Sequence, residues 1–350
     1  MVTNSTLQVI LKKVTITCFR SGKRSVYPYR IINHIKFNTM KKIFILLFAF
    51  FLLINVTAQN KVPETIVDFK FSNDFVFGTD QYFTNGLQLR VYANFMSKSP
   101  ANYILLPNSL DESIFYALTI THNIYTPTNL DTPLVQYHDE PYAAYLLIGS
   151  RKESYKLSKK LKKVSEFQLG ILGPYAGGGF VQNTIHRLLP TTEPAQGWEN
   201  QVANDLAIQY LISIEKGLIN RDNFEMNVFV SGIVGNPHTE ISSGMYIRAG
   251  LFEDYFEGPG LGYNKNLQLY IFGKGEITYV MYNAVLKGGL FHDGNLYNIG
   301  HNHHFLGHTD FGIAIGYKRV RIEVGEEILS SQFVGASTHL WGYARITFGI

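Results

Sequence analysis

The chain has 350 residues, with 31 Lys and Arg against 27 Asp and Glu and a single cysteine, Cys18. Only 17% of the residues are charged, below the ~25% of ordinary soluble domains, and 14% are aromatic. One cysteine excludes a disulfide framework and a cysteine metal site, and the length suits one large domain.

The first legible element is a targeting segment. Met40-Lys41-Lys42 precedes an apolar run from Ile43 to Ile54 and then Asn55-Val56-Thr57-Ala58-Gln59. A charged start, a short apolar stretch and a small-residue cleavage site form a signal peptide over residues 40–58, cut after Ala58. The run is shorter than the roughly 20 residues that a spanning helix needs. Met40 is then the expected start, and residues 1–39 read as an over-extended, unstructured N-terminus. Nine of the 31 basic residues and none of the acidic ones lie before residue 59. The remaining 22 basic residues face 27 acidic ones, a formal charge of −5. The basic excess therefore belongs to the leader, and nucleic-acid binding, which needs a basic face on the folded domain, has no support. Cys18 also precedes the cut, so residues 59–350 carry no thiol nucleophile.

Period-two alternation dominates the rest. Leu87, Leu89, Val91, Ala93 and Phe95 alternate with Gln88, Arg90, Tyr92 and Asn94. Phe224, Met226, Val228 and Val230 alternate with Glu225, Asn227 and Ser231, while Phe229 breaks the polar side. The same holds for Phe311, Ile313, Ile315 and Tyr317, and for Ala344, Ile346, Phe348 and Ile350. Such spacing puts apolar side chains on one face of a strand and polar or small ones on the other. A soluble sandwich alternates similarly. Segments of about ten residues, aromatics near segment ends and a last strand reaching the terminus favour an all-β, antiparallel transmembrane β-barrel over residues 59–350.

About twelve strands are expected, near 64–74, 84–96, 112–124, 141–150, 164–173, 204–217, 223–235, 240–253, 267–283, 308–318, 320–331 and 338–350. Short polar turns at Lys159–Lys163, Asn220-Arg221-Asp222 and Lys318-Arg319 suit the periplasmic end. Longer connections, at 97–111, 125–140, 174–203, 254–266 and 284–307, suit the outside. One of them differs. Phe180 to Pro190 has helical spacing, with Val181, Ile185 and Leu188 or Leu189 apolar, after Gly177-Gly178-Gly179. Trp198 to Leu206 suits a second short turn. A helix inserted in a barrel sequence marks a functional region.

Three clusters have the residue types for chemistry. Ser72-Asn73-Asp74 with Gly78-Thr79-Asp80-Gln81-Tyr82-Phe83-Thr84-Asn85-Gly86 is rich in the oxygen donors that hard cations take, although a polar hairpin loop uses the same residues. In Gln182-Asn183-Thr184-Ile185-His186-Arg187, Asn183 and His186 share a helical face. An imidazole titrating near neutral pH suits a general base, and also an ordinary surface or lumen position. Tyr125-Thr126-Pro127 and Asp139-Glu140-Pro141-Tyr142-Ala143-Ala144 alone read as proline-rich loop. His301-Asn302-His303-His304, with His308, has imidazoles for a transition metal but no carboxylate or cysteine at helical spacing, and reads as exposed loop. No Gly-x-Ser-x-Gly elbow occurs after the signal.

Taken in order, these segments resemble the lipid A 3'-O-deacylase (LpxR-type) family of outer-membrane proteins. The strongest match runs from Leu172-Gly173-Pro174-Tyr175-Ala176-Gly177-Gly178 through Gln182-Asn183-Thr184-Ile185-His186-Arg187 to Gly197-Trp198-Glu199-Asn200-Gln201. The resemblance implies a twelve-stranded barrel with a short helix in an extracellular loop. Its site lies between the outer wall and that loop helix, level with the outer leaflet. It implies a calcium-dependent esterase that removes an acyl chain from lipid A, the membrane-embedded partner of the protein in the outer membrane. His186 is the implied general base, with Thr84 and Asn73 as further catalytic residues. Asp74, Asn73 and Glu193 are the implied calcium ligands. The chain departs from the family pattern in having no Lys or Arg between Ile124 and Asp139, Glu140 where Arg is frequent, and Glu193-Pro194 where a Tyr is expected. Two other classes remain open: a non-catalytic outer-membrane barrel with a structural or transport role, and a phospholipase barrel with a Ser–His pair.

Overall fold

The computed structural model describes residues 65–188, 193–261, 267–292 and 302–350. The signal peptide, the segment before it, and Leu189 and Pro190 of the predicted helix lie outside these residues. Twelve strands close into one antiparallel barrel. They are β1 (Thr65–Asn73), β2 (Tyr82–Ala93), β3 (Ser113–Thr126), β4 (Ala143–Lys156), β5 (Leu161–Leu172) and β6 (Asp205–Arg221), then β7 (Phe224–Asn236), β8 (His238–Leu251), β9 (Leu267–Asn283), β10 (Phe305–Tyr317), β11 (Val320–Leu329) and β12 (His339–Gly349). The seam pairs β1 with β12, from Ile66 opposite Gly349 to Asn73 opposite Gly342. Closure leaves no edge strand, which a bilayer demands because hydrocarbon offers no partner to a free N–H or C=O.

The alternation sorts as the sequence implies. Phe311, Ile313, Ile315 and Tyr317 of β10 are exposed on the outer face, whereas Ala314 is fully buried. On β7, Phe224 and Val230 face outward and Glu225, Asn227 and Phe229 are buried inside. Phe229 therefore does not break the pattern; it is a large side chain on the lumen side, where Lys274 lies over its ring. Among the described residues no helix is long and apolar enough to cross a membrane.

The lumen is crossed by paired charges. Arg151 binds Glu153 at 2.6 Å and Glu166 at 2.7 Å. Asp68 lies between Arg90 and Arg345, and Arg248 reaches Glu225 at 2.8 Å. Each of these buried charges has a partner, without which desolvation would cost several kcal/mol, of order 3–5.

Chain direction corrects the assignment of connections to ends. Odd strands run one way and even strands the other, so 97–111 and 254–266 emerge at the same end as the short turns, opposite the loop that carries His186. Length alone misassigned them, because a long segment can also fold inward. The segment after β8 does so: Phe252, Phe256 and Leu261 are buried in the lumen. Arg248 and Arg321 donate to the main-chain oxygens of Glu253 and Gly260, and Lys160 pairs with Asp254. The turns are also tighter than expected. Lys162 and Lys163 belong to β5, and Asn220 and Arg221 to β6. Their side chains fit the strands because Lys162 reaches Glu215 and Lys163 reaches Glu112.

The plug has a measurable consequence. The intact protein in planar bilayers is expected to show no steady pore, and removal of residues 253–260 should raise conductance. Phe256→Ala should destabilise the barrel by about 3–5 kcal/mol, read by urea unfolding in liposomes. A wide ohmic channel from the intact chain contradicts a lumen closed at that end by this segment.

Candidate active site on the outer wall

The predicted helix forms as α1 (Gly178–Leu188). It follows a 3-10 turn over Pro174–Ala176 that ends at Gly177 with φ 76, a left-handed conformation that glycine adopts without strain. Val181 is packed against the wall while Phe180 is exposed, so one side of the helix meets the barrel. That wall is Ile124 of β3 and Ala144 of β4, joined by Tyr142, Ala176, Ala195 and Trp198. The approach requires glycine. A Cβ on Gly178 would lie 2.5 Å from that of Ala144, and one on Gly179 would lie 2.8 Å from the Trp198 ring. His122, on the outer face of β3, holds the turn by donating from Nε2 to the Ala176 oxygen at 2.9 Å.

The last turn of α1 places His186 against the β1–β2 connection. Its Nε2 is 2.9 Å from Oδ2 of Asp80. Its Nδ1 is 2.8 Å from the main-chain oxygen of Glu193, and since a carbonyl only accepts, Nδ1 carries a hydrogen. Gln182, one turn earlier, donates to Oδ1 of the same Asp80 at 3.0 Å and accepts from the Trp198 indole at 2.8 Å. Asn183 bonds both ways with Ala195, to its oxygen and from its nitrogen. That tie holds the returning segment whose Glu193 oxygen meets the imidazole.

His186 titrates above its ordinary value. The hydrogen bond to Asp80 is the largest cause, burial opposes it, and the Asp80 charge, the Glu193 carbonyl and Asp74 add to it. Asp74 is almost fully buried in the 3-10 turn over Asp74–Phe77. Its carboxyl is raised to about 8, by burial first and also by the Asp80 charge, against the bonds from Gln81 N at 2.9 Å and Thr79 Oγ1 at 3.0 Å. At neutral pH it is largely protonated in the absence of a cation.

The other predicted site residues fall into two groups. Thr84 reaches the site indirectly: its hydroxyl is 2.6 Å from that of Thr126, which lies 3.5 Å from the Asp80 oxygen. Asn73 is a capping residue. Its Oδ1 accepts from Phe75 N at 2.8 Å and its Nδ2 donates to the Thr84 oxygen at 2.9 Å, so its side chain is committed to the turn that presents Asp74. Glu193 meets His186 through its backbone, and its side chain is exposed. Asp80, Gln182 and Thr126 stood inside the quoted motifs without assigned roles; only their shared contact singles them out. Tyr82, between Asp80 and Thr84, has φ 56, a strained conformation for a bulky residue. The His303 and His304 side chains are exposed and bond to main-chain oxygens, whereas His308 sits on β10 between Glu276 and Glu327. Among the described residues no three His, Cys, Asp or Glu side chains group to hold a metal.

A site on the outside of a twelve-stranded barrel, under a loop helix, is the arrangement the resemblance implied. The family model for outer membrane protein LpxR matches residues 44–350. The chain belongs to the LpxR family of outer membrane proteins. LpxR from Salmonella typhimurium is 19% identical, and the match covers 81% of this chain and 100% of that one with a TM-score of 0.66. The Bordetella autotransporter BrkA β domain, 7% identical, aligns over 83% of this chain and all of its own at 0.41. The KdgM porin, 6% identical, aligns over 81% and 99% at 0.37. No curated protein sequence matches the chain. Membership puts this LpxR-family barrel in the outer membrane, in a family of lipid A deacylases.

The glycines give a direct test. Gly179→Ala should push Trp198 away from α1, reddening its fluorescence in a Trp341→Phe background and lowering activity at least tenfold. The barrel should stay folded by heat-modifiability on gels. Unchanged emission and activity would mean that the helix does not need this close approach.

Proposed function

We propose that this LpxR-family protein is a calcium-dependent lipid A esterase in which His186 activates water. The observation that carries this reading is the imidazole of α1 meeting Asp80 at 2.9 Å on the outer wall. Lipid A lies in the leaflet beside that wall, so its acyl esters reach the site without leaving the membrane.

Ester hydrolysis needs a base for the attacking water and a means of stabilising the oxyanion. Glu193 fixes a hydrogen on Nδ1, leaving Nε2 as the basic atom. Asp80 holds that atom in place and favours its protonated form. When Nε2 is unprotonated and turned to water, it takes the water's proton as the oxygen attacks the ester carbon. The bond to the sugar oxygen then breaks, and the proton passes from Nε2 to that oxygen. The products are a fatty acid and a free sugar hydroxyl.

The donor set suits a hard cation. Asp74 and Asp80 supply carboxylates that repel each other, and neither pairs with a Lys or Arg among the described residues. The main-chain oxygens of Asp74 and Asp80 lie in the same connection, near Thr79 and Thr126. Calcium accepts such mixed carboxylate and carbonyl sets. Asp74 and Asp80 would hold it, with Glu193 as a further candidate through its carboxylate and Asn73 shaping the turn beneath. When bound, calcium supplies Lewis-acid polarisation of the ester carbonyl.

The alternative of a transport barrel is disfavoured by the segment after β8, which folds into one end of the lumen. A Ser–His phospholipase is disfavoured because the hydrogen-bond partners of His186 are Asp80 and the Glu193 oxygen rather than a serine.

His186→Ala should abolish acyl release, measured by mass spectrometry of lipid A from an expressing host, and leave the barrel folded. An unchanged lipid A profile rejects the proposal. Asp80→Asn removes the main cause of the raised His186 value, so the acid limb of the pH–rate profile should move to lower pH. A limb that stays put argues against the pair. Calcium must displace the proton that Asp74 holds up to about pH 8. Affinity should therefore rise from pH 6 to 8, read by terbium luminescence or calorimetry, and this pH dependence should vanish in Asp74→Asn.

A further inference from the structure

Charge around the reaction centre narrows the substrate. The site is built by the described parts of the β1–β2, β3–β4 and β5–β6 connections, residues 74–81, 127–142 and 173–188 with 193–204. They are tied together by Gln182 to Asp80, Gln196 N to the Leu130 oxygen, and Asn200 to the Pro133 oxygen. These three segments contain seven acidic residues: Asp74, Asp80, Asp131, Asp139, Glu140, Glu193 and Glu199. Their one Lys or Arg is Arg187. It is exposed and turned back along α1, its Nη2 3.3 Å from the Thr184 hydroxyl.

Burial lowers this count without reversing it. Glu140 is fully buried with neither carboxyl oxygen hydrogen-bonded, and burial holds its carboxyl well above the usual range. Asp74 is raised as described. Asp131, Glu193 and Glu199 remain on exposed positions. A calcium ion on the Asp74–Asp80 pair would cancel that pair and leave the exposed carboxylates. The opposite end of the barrel is different: its connections mix Lys98, Lys159, Lys160, Lys318 and Arg319 with acidic residues. The acidity thus belongs to the three connections that build the site and not to the chain as a whole.

A phosphate monoester carries about 1.5 to 2 negative charges near neutral pH and is held by Arg or Lys clusters. Beside these loops it would meet carboxylates and find no cation turned towards it. We infer that the site takes an acylated glycolipid whose sugar bears no phosphate next to the scissile ester. This rests on the esterase reading above and names its substrate class. A phosphomonoester hydrolase must then act on the headgroup before this protein removes the acyl chain.

The test compares two probes with the full chain in detergent micelles at saturating calcium. One is lipid A with both phosphates; the other is the same lipid A lacking the phosphate beside the ester. Fatty-acid release is read by mass spectrometry. The phosphate-free probe should react at least tenfold faster. The double variant Asp131→Lys with Glu199→Lys should narrow that ratio at least threefold by speeding the phosphorylated probe. Equal rates on the two probes, or a ratio that the double variant leaves unchanged, overturn the inference and leave the esterase reading standing. Release from neither probe by a folded barrel overturns the esterase reading and this inference with it.

Discussion

The close contact between α1 and the outer wall of β3 and β4 is the constraint on which the site depends. Gly178 and Gly179 let the helix backbone lie against Ala144 and the Trp198 ring, where a single methyl group would collide. That spacing sets how far His186 projects. It also puts Gln182 where one amide bridges Trp198 and Asp80. A helix standing further off would leave the imidazole without its carboxylate partner, and an unpartnered polar group is expensive to bury. The packing is apolar and tight where it touches the barrel and polar where it faces the β1–β2 connection.

Two kinds of charge arrangement share one barrel. In the lumen, Arg151, Arg248 and Arg345 are each matched to carboxylates, beside a cavity of about 420 Å³ lined by groups such as Lys70, Arg90 and Glu276. At the outer site, two carboxylates and one imidazole are brought together without an Arg or Lys to balance them. The first arrangement holds a structure. The second raises the titration of both a carboxyl and an imidazole, a combination that natural folds concentrate at reaction centres. The strained Tyr82 between Asp80 and Thr84 fits the same view, since its cost is carried by the packing of its ring on Phe333 and His339.

The inward fold of the segment after β8 separates the lumen from the chemistry. With Phe252, Phe256 and Leu261 filling the opposite end, the barrel acts as a support for its outer wall. The proposed reaction surface then lies on the outside of the barrel, under the loops that carry α1.

Sequence by itself determined the barrel. A period of two can satisfy only one partition between lipid and lumen, and all twelve expected strands overlap the observed ones, with 267–283 matching β9 at both ends, while β4 and β6 run six and four residues beyond the expected 150 and 217. Helical spacing after three glycines likewise marked α1, and His186 with it. The ends at which the long connections emerge needed the count of strand directions, and the inward fold of 252–261 needed the lumen it fills. The partner of His186 was decided only in three dimensions. Asp80 lies 106 positions earlier in the chain and Glu193 contributes a backbone oxygen, so neither side-chain type nor spacing announces the contact. Local pattern is written by the solvent each side chain meets next to its neighbours. Convergence of distant groups is written by the closure of the sheet and the packing of one helix upon it.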